Sequence, residues 1–215
     1  MPSILHVNAS PNGADSHSLQ AGKLLAARLA QAGSPALIER DLSLLPLHAI
    51  NREFVEASLM REDARNHAQR QALALSEQLI AELEACDCLI LSTPMHNFTV
   101  PAALKVWLDL VMRPGRTFRG GPDGKHGLLN NRPVFVIVAS GGPMQSKPDW
   151  QPDFLTPYLR CALATMGLND VSILQLESLK RGDKALLAAA QATEQWVERQ
   201  SRRYHNAAAA YRATA

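Results

Sequence analysis

The sequence predicts an α/β fold, a doubly wound five-stranded parallel sheet of order 2-1-3-4-5 with helices on both faces. Three observations predict it. Short runs of β-type apolar residues alternate with longer stretches of helical period, the pattern of parallel strands joined by crossover helices. Two of those runs, Leu89-Ile90-Leu91 and Val134-Phe135-Val136-Ile137-Val138, are apolar at every position, so both of their faces need cover. The chain has 215 residues, 47% of them hydrophobic and 20% charged, enough for one domain to bury a substantial core.

Five strands are expected, in order, over residues 4–8, 36–41, 88–92, 134–140 and 171–176. The third and fourth carry the continuous apolar runs and are central. Helical patterns lie between them over 18–33, 65–85, 102–112, 152–167 and 182–213. The first closes at Gly33-Ser34-Pro35, a stop signal, and the third opens with Pro101 at the first helical position. Two long insertions, 42–64 and 113–132, read as loops that carry function or pack on a partner. The whole chain, 1–215, reads as one domain, with 205–215 a frayed extension or an oligomer contact.

Composition excludes several classes of function. The formal net charge is only +2 and the basic residues are dispersed, which leaves no footprint for nucleic acid or an anionic membrane. Arg199, Arg202 and Arg203 form the densest basic group, on what reads as a solvated helix face. No apolar run reaches the roughly 20 residues of a membrane span, and the first residues lack a signal-peptide layout, so a cytoplasmic location is expected. Cys86, Cys88 and Cys161 read as reduced core residues, because the spacing suits neither a redox dithiol nor a metal site.

In this strand order, ligands bind beyond the carboxyl ends of the strands where the order reverses, which directs attention to three loops. After the first strand comes Ser10-Pro11-Asn12-Gly13-Ala14-Asp15-Ser16-His17-Ser18, leading into a helix. Free N–H groups at a helix start, with the hydroxyls of Ser10, Ser16 and Ser18 and the backbone of His17, suit a terminal monophosphate. An ordinary turn and N-cap explain the same residues. The loop lacks the Gly-Lys-Ser/Thr ending of a triphosphate site and the glycine-rich dinucleotide fingerprint.

The second loop runs from Ser92 to Pro101 and holds Pro94, Met95, His96, Asn97 and Phe98. Two prolines bracket an apolar, amide-rich turn, a stiff platform for a flat ring or a plain strand-to-helix turn with a core Phe. The third loop, Ala139-Ser140-Gly141-Gly142, offers close backbone approach to a ligand, though paired glycines also make a simple turn.

With these residues in view, the chain resembles the FMN-dependent NADH-azoreductase and NADH:quinone oxidoreductase family, whose fold is flavodoxin-like. The resemblance runs through the Ser-Pro…Ser-x-Ser loop, Pro94 to Asp109, Arg113 to Phe118, and Gly127 to Gly142; the block from Pro94 to Asp109 is the specific part. It implies tightly bound FMN, NADH or NADPH as donor, quinones and azo compounds as acceptors, and two-electron ping-pong transfer through the flavin. It also implies a homodimer with FMN sites near the interface. The flavin carries the chemistry, so no catalytic side chain and no metal are expected.

The FMN site so implied comprises Ser10, Ser16, His17, Ser18, Pro94, Met95, His96, Asn97, Phe98, Ala139, Ser140, Gly141 and Gly142, with Asn97 and Phe118 facing the acceptor. Two departures stand out: His96 where members have Tyr, and Ala139-Ser140 where many have Ser-Arg. An electron carrier of flavodoxin type is the alternative, but it would be shorter and strongly acidic, against a pI near 8.5 here. A phosphate-responsive regulatory module would need an acidic cluster that Asp15 and Asp41 alone do not supply.

Overall fold

A computed structural model describes residues 3–31, 35–46, 50–144 and 151–214, with side chains as far as Asn206. Five parallel strands, β1 (Ser3–Asn8), β2 (Ala36–Asp41), β3 (Cys88–Pro94), β6 (Val134–Ala139) and β7 (Val171–Leu176), form one sheet of order β2-β1-β3-β6-β7. This is the expected 2-1-3-4-5 order. The intervening labels belong to a separate two-stranded hairpin, β4 (Phe118–Gly121) and β5 (Gly124–Gly127). Among the described residues six α-helices complete the fold: α1 (His17–Ala30), α2 (Arg52–Leu59), α3 (His67–Ala85), α4 (Ala102–Val111), α5 (Leu155–Thr165) and α6 (Asp183–Thr214).

The uninterrupted apolar runs are divided between two cores by the two-residue period of a strand. Leu89, Leu91, Val134, Val136 and Val138 face one side, against Leu73, Leu79 and Leu83 of α3, Leu104 and Leu108 of α4, and Leu159 of α5. Ile90, Phe135 and Ile137 face the other, against Leu25 and Leu29 of α1 and Trp196 of α6. Trp196 meets Phe135 edge-on, with ring centroids 5.9 Å apart. Both faces of β3 and β6 are thus covered, as their composition requires.

The two insertions are not loops throughout. Within the first, Asn51 caps α2 by accepting a 2.9 Å hydrogen bond from the Phe54 N–H, and Phe54 and Ala57 are buried. An eight-residue helix spans barely two turns, too few to register as periodicity. Within the second, the β4–β5 hairpin turns at Pro122-Asp123 and is poor in strand formers; the Lys125 ammonium lies 5.0 Å from the Phe118 ring centroid. Its base is pinned by Arg113 and Arg116, which reach Glu77 of α3 at 2.8 and 3.0 Å.

Other local expectations shift slightly. Pro101 stands at the N-cap of α4 rather than at its first helical position. Helix α1 ends at Ala30, and Gly33 and Ser34 of the expected stop signal lie outside the described residues. Helix α6 continues to Thr214, and the side chains of 207–215 lie outside the described residues. Arg199, Arg202 and Arg203 are exposed, as expected of a solvated face, and Arg203 also pairs with Asp170 at 2.5 Å, tying α6 to the start of β7. Cys86 and Cys88 are buried as expected, but Cys161 is exposed on α5, because the inward face of that helix is filled by Leu155, Leu159, Ala162 and Leu163.

Among the described residues, no helix is long and apolar enough to cross a membrane.

Candidate cofactor site

The carboxyl ends of β1, β3 and β6 are adjacent in the sheet, and the loops leaving them enclose a cavity of about 600 Å³. That is within the range of cofactor pockets.

At the β1 end the buried side chain of Asn8 ties the first loop to the strand: it donates to the Ser10 carbonyl at 3.2 Å and accepts from the Ser10 N–H at 3.1 Å. Gly13, at φ +52°, starts the turn that leads to Ser16, where an L side chain would be strained. Ser16 caps α1, its hydroxyl accepting from the Leu19 N–H at 3.3 Å. Helical geometry gives the N–H groups of His17 and Ser18 no partner one turn back, so the positive end of α1 opens on the cavity. Ser10, Asn12, Asp15, Ser16 and His17 line this end. Ser18 stands behind them, fully buried, with its hydroxyl 3.2 Å from that of Ser16. The N-cap and phosphate-seat readings of this loop therefore rest on the same residues.

At the β3 end, His96 and Thr99 exchange backbone hydrogen bonds of 2.9 and 3.0 Å across a two-residue turn. Both central residues have positive φ, Asn97 at 47° and Phe98 at 72°. Asn tolerates that region; for Phe it costs on the order of 1–3 kcal/mol. The Phe98 carbonyl accepts from the Phe154 N–H at 3.0 Å, which fixes the turn against the segment before α5. Phe98 is 46% exposed, so it is not the core residue that a plain turn would contain. The Met95 N–H continues the ladder to the Ala139 carbonyl at 2.8 Å, and its sulfur lies 2.6 Å from Gln151 Nε2.

At the β6 end, Ala139, Ser140, Gly141 and Gly142 line the wall. The segment after β7 is clamped onto them: the N–H groups of Ser178, Leu179 and Lys180 donate to the carbonyls of Gly142, Ser140 and Gly141 at 3.1, 3.1 and 3.2 Å. A Cβ on Gly142 would sit 3.3 Å from Gln151 Oε1, and one on Gly141 3.0 Å from Lys180 Cδ. Bare backbone is what keeps this end open.

Twelve of the thirteen residues expected at the cofactor line this cavity, all but Ser18. Phe118 does not line it and lies in the hairpin under Lys125. Gln151, Leu179 and Lys180 also form the wall, and sequence reading missed them because they lie farther along the chain, Gln151 well past the end of β6 just before α5 and the other two after β7. The rule about strand ends pointed to β6, and its neighbour β7 was the remaining signal.

The donor set fits FMN: hydroxyls and free N–H groups at one end, a stiff turn with Met95 and Phe98 in the middle, and bare glycine backbone at the other. No cluster of three or more metal-ligating side chains occurs among the described residues.

A family profile described as a flavodoxin-like fold matches residues 2–199. The chain is 43% identical over 198 residues to FMN-dependent NADH:quinone oxidoreductase 2 of Cupriavidus pinatubonensis, covering 92% of this chain and 96% of that one. It is 46% identical over 189 residues to FMN-dependent NADH:quinone oxidoreductase 4 of Pseudomonas fluorescens, covering 87% and 90%. Among solved structures, the azoreductase AzrA superposes with a TM-score of 0.83 at 20% identity, covering 93% of this chain and 99% of that one. An FMN-dependent NADH-azoreductase of Bacillus anthracis, in complex with FMN, superposes at 0.80 and 22%, covering 94% and 100%. The structural likenesses establish the fold, and the sequence identities go further: the chain belongs to the family of FMN-dependent NADH:quinone oxidoreductases.

Proposed function

We propose that the protein binds FMN in the cavity at the ends of β1, β3 and β6 and uses NADH to reduce quinones, with azo compounds as further acceptors. The observation that carries this reading is the union, in one cavity, of a phosphate seat, a stiff platform and a bare glycine edge. When bound, FMN supplies two-electron transfer between donor and acceptor in two half-reactions.

The chain's own residues bind, orient and exclude. Ser10, Ser16 and the N–H groups of His17 and Ser18 hold the phosphate with neutral donors and the helix dipole. Pro94, Met95 and the turn at His96-Asn97-Phe98 hold the ring, and the strain in that turn sets the position of its backbone before any ligand arrives. Ala139, Ser140, Gly141 and Gly142 admit the ring edge. Asn97 and Phe98, both exposed, face the incoming acceptor; Phe118 reaches an acceptor only from the hairpin.

The single domain acts as a homodimer in this reading. Its support is the exposed apolar surface: Leu44 is 84% exposed, and a shallow apolar hollow formed by Pro11, Leu42, Leu45, Pro101 and Ala102 shares His96 with the cofactor cavity.

Purified protein mixed with FMN and passed through gel filtration should retain flavin absorbance, and should then consume NADH when benzoquinone is added. Retention without NADH turnover would favour an electron carrier, and loss of the flavin on the column would remove the central claim.

A further inference from the structure

Lys180 has no part in the reading above, yet it stands in the wall of the same cavity. It follows β7, on a segment whose backbone is fixed twice. Three consecutive N–H groups, from Ser178 to Lys180, donate to the exit of β6, and Ser178 holds φ +61° to bring them there. The side-chain stem then lies along Gly141: a Cβ at that glycine would meet Lys180 Cδ, Cγ and Cε at 3.0, 3.1 and 3.3 Å. Glycine at 141 thus lets the lysine stem pack directly against the backbone, where a Cβ would push it aside by a few tenths of an ångström. Among the described residues, Lys180 is the only lysine or arginine in the cavity wall, and no carboxylate pairs with it.

The placement decides what the charge acts on. The phosphate seat is at the exit of β1, and the exit of β6 lies two strands away, on the order of 10 Å. Among the described residues the only carboxylate in the wall, Asp15, belongs to the phosphate end. The cavity is thus polarised, with an exposed lysine whose stem lies along Gly141, beside the glycines that admit the ring edge. Oxidised flavin is neutral in its ring; a hydride equivalent taken from NADH brings two electrons and one proton, and leaves one added negative charge.

We propose that Lys180 is a positioning residue for charge, which stabilises the reduced ring relative to the oxidised one and so raises the reduction potential of the bound cofactor. This rests on the FMN reading of the site. An ammonium near a partly desolvated charge differs in effect between the two redox states, whereas a merely packed stem does not.

The test compares the FMN-loaded protein with Lys180→Met, which keeps the stem, and Lys180→Arg, which keeps the charge. Midpoint potentials are read by equilibration with reference dyes, and affinities for oxidised FMN and riboflavin by flavin fluorescence. Lys180→Met should shift the potential to more negative values, by the equivalent of about a tenfold loss in preference for reduced flavin, or about 30 mV for a two-electron couple. Lys180→Arg should restore most of it, and the affinity for oxidised FMN should change less than threefold in both. An unchanged potential in Lys180→Met overturns the proposal. So does a tenfold loss of FMN affinity with riboflavin unaffected, which would make Lys180 a phosphate ligand, or a higher KM for anionic acceptors alone. Failure of the unsubstituted protein to hold FMN would overturn the underlying reading instead, and is seen before any variant is made.

Discussion

Phe98 holds a backbone conformation that glycine adopts freely and an aromatic residue does not. Phe98→Gly should therefore raise the stability of the flavin-free protein by about 1 kcal/mol, measured by urea denaturation, while weakening flavin retention because the ring face is gone. A variant no more stable than the parent would show that packing of the half-exposed ring offsets the strain. The residue was legible in the sequence as part of the Pro94 to Pro101 turn, but its φ was not. Phe is the wrong residue for a mirror-image turn, where Asn-Gly is the usual pair, and only the geometry reveals the conflict. Ser16 shows the opposite case. Its cap was readable from a hydroxyl ahead of a helical pattern, and the structure adds that the same residue lines the cavity. Lys180 and Gln151 were illegible, because they enter from segments whose relation to the site depends on tertiary clamps.

The elements were read more completely than their joints. All five strands of the sheet follow from hydrophobic runs and turn residues, whereas α2 and the β4–β5 hairpin are too short or too glycine-rich to announce themselves. The seam between β1, β3 and α1 was also invisible. There the buried His6 imidazole meets the Ser92 hydroxyl at 2.8 Å, and α1 can approach only because Gly22 has no side chain; a Cβ there would collide with both. Burial, with the nearby Lys23 charge, lowers the His6 pKa to about 4 from the model-peptide value of 6.5. The fold therefore holds His6 neutral while the unfolded chain takes up a proton below pH 6.5, so stability falls as pH drops from 6.5 towards 4 and this contribution levels off below that. The group should account for about 3 kcal/mol across the window. Urea unfolding at pH 7 and 4.5 checks it: His6→Asn should flatten the slope, and an unchanged slope would assign it to other groups.

At the scale of the whole molecule, three strand ends must be brought together before the cavity exists, so binding FMN and folding are linked. FMN at a hundred times its Kd should add about 2.7 kcal/mol to the stability of the protein. For a chain of this size that corresponds to roughly 5–10 °C in Tm. Riboflavin, which lacks the phosphate, should give a smaller shift at equal concentration, and equal shifts would argue against the seat at α1. The distribution of thiols has a practical consequence for such measurements. Cys86 and Cys88 are sealed in the sheet and its edge, and burial pushes both thiols up and away from their reactive form, while Cys161 is open to solvent on α5. A maleimide fluorophore added to the native protein has one address, on the helix that starts directly after Phe154, the residue that holds the Phe98 turn. The molecule thus carries its own labelling position on the helix whose start anchors the Phe98 turn, with no cysteine to add or remove.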